Sequence, residues 1–170
     1  MRRIFHKLLS PEEALKIVEE RIRSMKKPEM EVVKISDALG RILAEDIYAK
    51  VDSPPFDRAI VDGYAVKAED VYQADEANPV KLKLIGEIEV GEIPRVELRS
   101  GECVEIATGA PMPRGSDAVV MVEYTKKIGD HVLIYRGVHP GENVAQTGSD
   151  ITAGDLVLRK GKRLNSRDIA

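Results

Sequence analysis

The chain has 170 residues, of which 43% are hydrophobic and 32% charged, with 26 basic against 29 acidic side chains and a net charge of -3. That length suits one sizeable domain or two small ones, and so much apolar content with so little net charge excludes a disordered chain. The balance also argues against a general nucleic-acid binder: there is no basic surplus to displace counterions, and aromatics at 4% with no Trp leave little for base stacking.

No apolar run approaches the ~20 residues needed to cross a bilayer, so no membrane span is expected. The basic N-terminus breaks at His6-Lys7 before any signal-like stretch develops. A single cysteine, Cys103, excludes an internal disulfide and a cysteine-based zinc site within one chain, and a cytoplasmic, reduced setting is expected. The heavy use of Glu, Lys and Arg suits the surface ion-pair networks of a thermophile.

The first predicted element is a helix from about Pro11 to Lys27. Ser10 is its N-cap, Pro11 takes the first helical position and Glu13 completes a capping box. Ala14, Val18, Ile22 and Met25 form one apolar stripe, Glu12 with Lys16 and Glu19 with Arg23 pair on the wet side, and Pro28 stops the helix. Glu31–Ile35 reads as a short strand, residues 36–40 as a capped helical turn, and Arg41–Ala49 as a helix end or strand. From about Val51 the texture changes to short β-like runs: Tyr64–Val66, Val80–Ile85, Glu87–Val90, Glu102–Ala107, Ala118–Glu123 and Val132–Tyr135. A further strand is expected over Asp155–Arg159. Asn165-Ser166 reads as a helix N-cap only four residues before Ala170, too few for a helix, so the chain looks cut within an element.

Three segments carry side chains suited to chemistry. In Pro54–Val66, Asp57 and Asp62 lie five apart on a Pro-stiffened loop, and Asp62 precedes Gly63, which permits a tight turn and close approach of a ligand. Such an Asp can hold a hydrated Mg2+ or orient a ligand's hydroxyl or amine. Taken alone, an Asp-Gly turn bonding its own backbone is the commoner outcome. In Ala107–Asp117, Thr108 precedes Gly109 and can expose its hydroxyl and successive N–H groups as an oxyanion or phosphate nest, although a Pro-rich β-turn explains the same residues. Gly141–Ile151 is polar and Gly-bounded, with Asn143 and Asp150; a solvated returning loop is its simplest reading. His6, His131 and His139 are scattered without metal-ligand spacing, and Cys103 suits a buried small hydrophobe.

Six blocks in order resemble the molybdopterin molybdotransferases, the MoeA family, which includes the E domain of gephyrin. They are Ala38–Ala44, Phe56-Asp-x-x-x-x-Asp-Gly-Tyr-Ala-Val66, Thr108-Gly-Ala-Pro111, Asp117–Glu123, Gly141-Glu-Asn143 and Gly148-x-Asp-Ile151. The resemblance runs from about Leu9 to Ala170 and implies an α+β fold: an elongated helix-containing domain (residues 1–50 and 149–170) interrupted by a mainly β, barrel-like domain (51–148). Relatives are more than twice this length, and the pterin-binding α/β domain and C-terminal barrel would be absent. The resemblance further implies a homodimer that inserts molybdate, or tungstate, into adenylylated molybdopterin with Mg2+, and a molybdopterin adenylyltransferase as pathway partner.

Carried over by position, the resemblance makes Asp62, Thr108 and Asp150 catalytic-cleft residues, with Asp62 also the metal ligand and Gly63, Gly109 and Asn143 in cofactor binding. Thr108 would donate a hydrogen bond across the cleft and Asp150 would organise the domain junction, with Asp57 and Glu123 as weaker candidates. Where many relatives have an Arg-rich stretch after Gly-Glu-Asn, this chain has Ala145-Gln146-Thr147, and Lys126, Lys127 or Arg114 are the substitute cations. The expectation is the N-terminal half of a transferase, inactive by itself. A stand-alone binding or scaffold module and one subunit of a split enzyme are the alternatives. An independent metal hydrolase built on Asp57 and Asp62 lacks further ligands.

Overall fold

A computed structural model describes residues 9–26 and 29–170 of the chain. Two compact units divide it, Met1–Ala44 with Arg163–Ala170, and Glu45–Lys162. Among the described residues no helix is long and apolar enough to cross a membrane.

In the first unit, helix α1 spans Pro11–Ser24. The Glu13 N–H donates to Ser10 Oγ at 3.2 Å and the Ser10 N–H to Glu13 Oε2 at 2.9 Å, the reciprocal cap that the sequence predicts. Glu19 and Arg23 pair at 3.9 Å. The helix stops at Met25, and Lys27 and Pro28, expected to end it, lie outside the described residues, as does His6. Leu15, Val18, Ile22 and Met25 are all exposed and α1 buries no residue. The strand expected over Glu31–Ile35 does not form: residues 29–34 are irregular, for want of a partner strand, and lead into a 3-10 turn at Ile35–Asp37. Gly40 N–H donates to the Leu164 carbonyl at 2.9 Å and Leu164 N–H to the Arg41 carbonyl at 2.8 Å. A one-turn helix does form beyond Asn165, because Asn165 and Asp168 cap each other reciprocally.

The second unit holds every buried apolar side chain among the described residues. Its strands are β1 (Ile47–Tyr48), β2 (Arg58–Ala59), β3 (Gly63–Val66), β4 (Val80–Ile88), β5 (Glu102–Ile106), β6 (Ala118–Met121), β7 (Thr125–Ile128), β8 (His131–Ile134), β9 (Val144–Ala145) and β10 (Leu156–Leu158). A four-residue helix, α2 (Ala68–Val71), follows β3, and the one-turn helix Ser166–Ile169 of the first unit is α3. Strands β1 with β10 and β2 with β9 form two-stranded ribbons, and the others make a sheet in the order β6-β3-β5-β4-β8-β7. Only the β4–β5 pair in it is parallel.

Alternation along the strands sorts side chains to two cores, one on each face. Tyr64, Val66, Leu82, Cys103, Val120, Val132 and Ile134 pack with Val71 of α2, while Ala65, Val104, Ile106 and Val119 pack with Ala59, Leu98 and Ala110. Burial pushes the Cys103 thiol up to about 12, which fits the expected inert hydrophobe. The sheet is curled. A flat one would place β5 and β7 three strand spacings, about 14 Å, apart. Yet Lys127 Nζ of β7 reaches Glu105 Oε2 of β5 at 2.7 Å, and β6 and β7, at opposite ends of the order, are joined by a 3-10 turn of only Val122–Tyr124. The fold is thus mixed α and β around a curled sheet.

Candidate functional site

The three segments singled out in the sequence come together through one of them. Residues 53–62 run between the 108–112 loop on one side and the 143–151 segment on the other. Towards 143–151, Arg58 pairs with Ala145 and Ala59 with Val144 in the β2–β9 ribbon, and the Ile60 N–H donates to the Asn143 carbonyl at 3.1 Å. Further along, Gly148 N–H donates to the Pro54 carbonyl and Asp150 N–H to the Ser53 carbonyl, both at 2.9 Å. Towards 108–112, Met112 N–H donates to the Asp57 carbonyl at 2.9 Å, Ala59 N–H to the Ala110 carbonyl at 3.0 Å, and Gly109 N–H to the Ala59 carbonyl at 2.8 Å.

Side chains fasten this layer at two points of the same design. Asp62 Oδ1 accepts both the N–H and the hydroxyl of Thr108, each at 2.7 Å. Asp57 Oδ1 accepts the N–H of Thr147 at 2.8 Å and its hydroxyl at 2.7 Å. Each clamped threonine is followed by a glycine at positive φ, 89° at Gly109 and 71° at Gly148, which turns the chain away from the clamp. Hydrogen bonds to an ionised carboxylate favour that form. The Thr108 hydroxyl and then its N–H hold the Asp62 carboxyl below its ordinary value, and the Thr147 N–H and then its hydroxyl do the same for Asp57. All four side chains lie on exposed positions.

Asp62 and Thr108 are therefore brought into direct contact, as neighbours within one site. The single hydroxyl proton of Thr108 goes to Asp62, so towards a ligand this oxygen acts as an acceptor in the present arrangement, in place of the expected donor. Gly63 permits a close approach, but by backbone: a Cβ there would lie 1.9 Å from the Val120 carbonyl oxygen of β6, so the space a ligand was expected to use is filled by the sheet. Asn143 sits at φ 61° and its amide donates to the Val119 carbonyl at 2.8 Å, which covers the free edge of β6. Asp150 is exposed, with its backbone tied to Ser53. Glu123 lies beside Val122, whose N–H donates to the Asp62 carbonyl at 3.1 Å. Of the substitute cations, Lys127 is engaged by Glu105, while Lys126 and Arg114 are exposed.

Among the described residues no group of three or more His, Cys, Asp or Glu is placed to hold a metal. Asp62 still has its second carboxylate oxygen outside the clamp, which suits a hard cation bound through one carboxylate, waters and a ligand's phosphates. Sequence reading passed over Thr147, noting it only as part of a departure from the family. The signal was present: Thr-Gly occurs at 108–109 and again at 147–148, matching the two aspartates at 57 and 62.

The chain is 40% identical over 143 residues to the molybdopterin molybdenumtransferase of Bacillus subtilis, a match covering 82% of this chain and 33% of that protein. It is 37% identical over 157 residues to the molybdopterin molybdenumtransferase of Staphylococcus epidermidis, covering 90% of this chain and 38% of the other. A solved structure of a molybdopterin biosynthesis MoeA protein from Pyrococcus horikoshii superposes with a TM-score of 0.84 at 45% identity, over 96% of this chain and 41% of that one. This chain thus spans little more than a third of the length of the relatives it matches. Its residues 9–170 match the family described as MoeA N-terminal region (domain I and II), and the chain belongs to that family.

Proposed function

We propose that the chain serves in molybdenum cofactor biosynthesis as the domain I and II portion of a molybdopterin molybdotransferase, which inserts molybdate, or tungstate, into adenylylated molybdopterin. The observation that carries this reading is the Asp62–Thr108 clamp, formed by two family blocks 46 residues apart within a chain of that family. The clamp locks one oxygen of a carboxylate that stays ionised and leaves the other free at an exposed position. That oxygen can accept a proton or a hydrogen bond from the substrate at a fixed place, and fixed placement is what raises the rate. Mg2+, when bound through the same oxygen, would supply charge neutralisation for the substrate's phosphate and oxyanion groups. Asp150, tied to the same layer through Ser53, is the second carboxylate of this reading, and Gly109 turns the chain away after Thr108 with its N–H held by the Ala59 carbonyl.

The reading includes the inserted, barrel-like β-domain in a helix-containing domain, a cytoplasmic homodimer, and a molybdopterin adenylyltransferase as the source of substrate. Its test is the transfer of molybdate by this chain with the C-terminal region of the enzyme present. Asp62→Asn and Thr108→Val are each expected to lower kcat by about a hundredfold with a folded, cooperative protein retained. Unchanged turnover in Asp62→Asn would overturn the assignment. The 170-residue chain alone is expected to show no transfer, and turnover by it would refute the composite site.

A further inference from the structure

The Asp57–Thr147 clamp repeats the Asp62–Thr108 clamp five residues earlier in the same segment, and the proposed chemistry makes no use of it. Asp57 bonds one neighbouring segment through its backbone and the other through its side chain. Its carbonyl accepts Met112 N–H of the Thr108 loop at 2.9 Å, and its carboxylate accepts both donors of Thr147 in the segment that bears Asp150. From Thr147 the chain reaches Asp150 in three residues, fastened on the way by Gly148 N–H to the Pro54 carbonyl and ending with Asp150 N–H on the Ser53 carbonyl. The backbone bonds can form at more than one register of an irregular pair of segments, whereas a carboxylate that takes both an N–H and an O–H from one threonine fits a single register.

We infer that Asp57 is a positioning residue, which sets the register of residues 147–151 and so places Asp150 relative to the loop carrying Asp62's partner Thr108. This rests on the transferase reading for its consequence and on the two clamps for its geometry. Asp57 touches no substrate in this account. It acts through Thr147, and its removal shifts Asp150 without removing it. A displacement of about 1 Å in a site of this kind costs on the order of 100-fold in rate.

The test compares Asp57→Ala, Thr147→Ser and Asp75→Ala in the transferase with its C-terminal region present. Asp75 accepts the Ala77 and Asn78 N–H groups in a separate turn, so its variant loses a carboxylate staple without touching these segments. Asp57→Ala is expected to lower kcat by about 10- to 100-fold with the KM for molybdate within threefold of the unaltered enzyme. Thr147→Ser, which keeps both donors, is expected within threefold of unaltered kcat, and Asp75→Ala the same. Equal losses in Asp57→Ala and Asp75→Ala would overturn the inference, as would a kcat for Asp57→Ala within twofold of the unaltered value. Amide hydrogen exchange of the 170-residue chain gives a readout independent of transfer. Exchange at Asp150 and Ile151 rises at least tenfold in Asp57→Ala if the register is set there, and unchanged exchange refutes it even where activity falls. An unaltered enzyme without transfer activity overturns the transferase reading alone, and the exchange result then decides by itself whether Asp57 sets the register.

Discussion

Gly63 and Gly109 stand one residue after the two partners of the Asp62–Thr108 clamp, and each is a glycine for a different physical reason. Gly109 has φ 89° with only Val90 near a would-be Cβ, at 3.8 Å, so alanine there meets backbone strain alone. Gly109→Ala is expected to cost about 1–2 kcal/mol in urea denaturation. At Gly63 the obstacle is the Val120 carbonyl oxygen at 1.9 Å, which no rotamer can avoid. Gly63→Ala should cost at least about 3 kcal/mol, or leave no folded sheet, when measured the same way. The aspartates give a pH signature. Because the folded carboxyls of Asp57 and Asp62 sit below their ordinary values, their stabilising effect is full above the unfolded value near pH 3.9 and is lost as pH falls through the depressed native values. The urea midpoint is therefore expected to fall below about pH 4, and Asp57→Asn with Asp62→Asn to flatten that acid limb while lowering stability at neutral pH. These residues were legible as candidates because Asp, Thr and Gly recur at turn spacing. Their pairing was not, since nothing local in the sequence says which carboxylate meets a threonine 46 or 90 positions away.

Helix α1 and strand β5 mark the two extremes of what an element owes to its own sequence. Ser10, Pro11 and Glu13 encode the start of α1 completely, and the helix forms there although it buries no residue. The strand expected over Glu31–Ile35 had suitable residues and no partner, and it is absent. Local capping is a short-range interaction that sequence displays directly, whereas a ladder needs a second strand that periodicity cannot name. For the same reason β2, β7 and β9 escaped notice: their residues are polar or few, and pairing alone defines them. The energetic contrast is testable. Ile22→Ala on exposed α1 is expected to change the unfolding free energy by less than about 0.5 kcal/mol, and Val104→Ala in β5, fully buried, to lower it by roughly 2 kcal/mol. A large effect at Ile22 would mean that α1 packs against something in solution.

For the molecule as a whole, one unit holds all the buried apolar side chains found among the described residues. A chain cut to Glu45–Lys162 is therefore expected to unfold cooperatively, with a urea midpoint close to that of the full chain, and a non-cooperative transition would contradict the location of the core. Its ends are already joined, since β1 pairs with β10 and Lys160 N–H donates to Asp46 Oδ1 at 2.7 Å. The clamps have a consequence in time as well as in space. Asp57 and Asp62 leave the ribosome long before Thr147, and closing a 90-residue loop must await its last residue. The antiparallel neighbours of β3 are likewise distant in the chain, so few native contacts are available early. Such topology folds slowly, on the scale of milliseconds to seconds. The layer that carries Asp62, Thr108 and Asp150 is thus among the last parts of the unit to be completed, and a nascent chain stalled short of residue 147 would display the Asp57 carboxylate without the threonine that holds it.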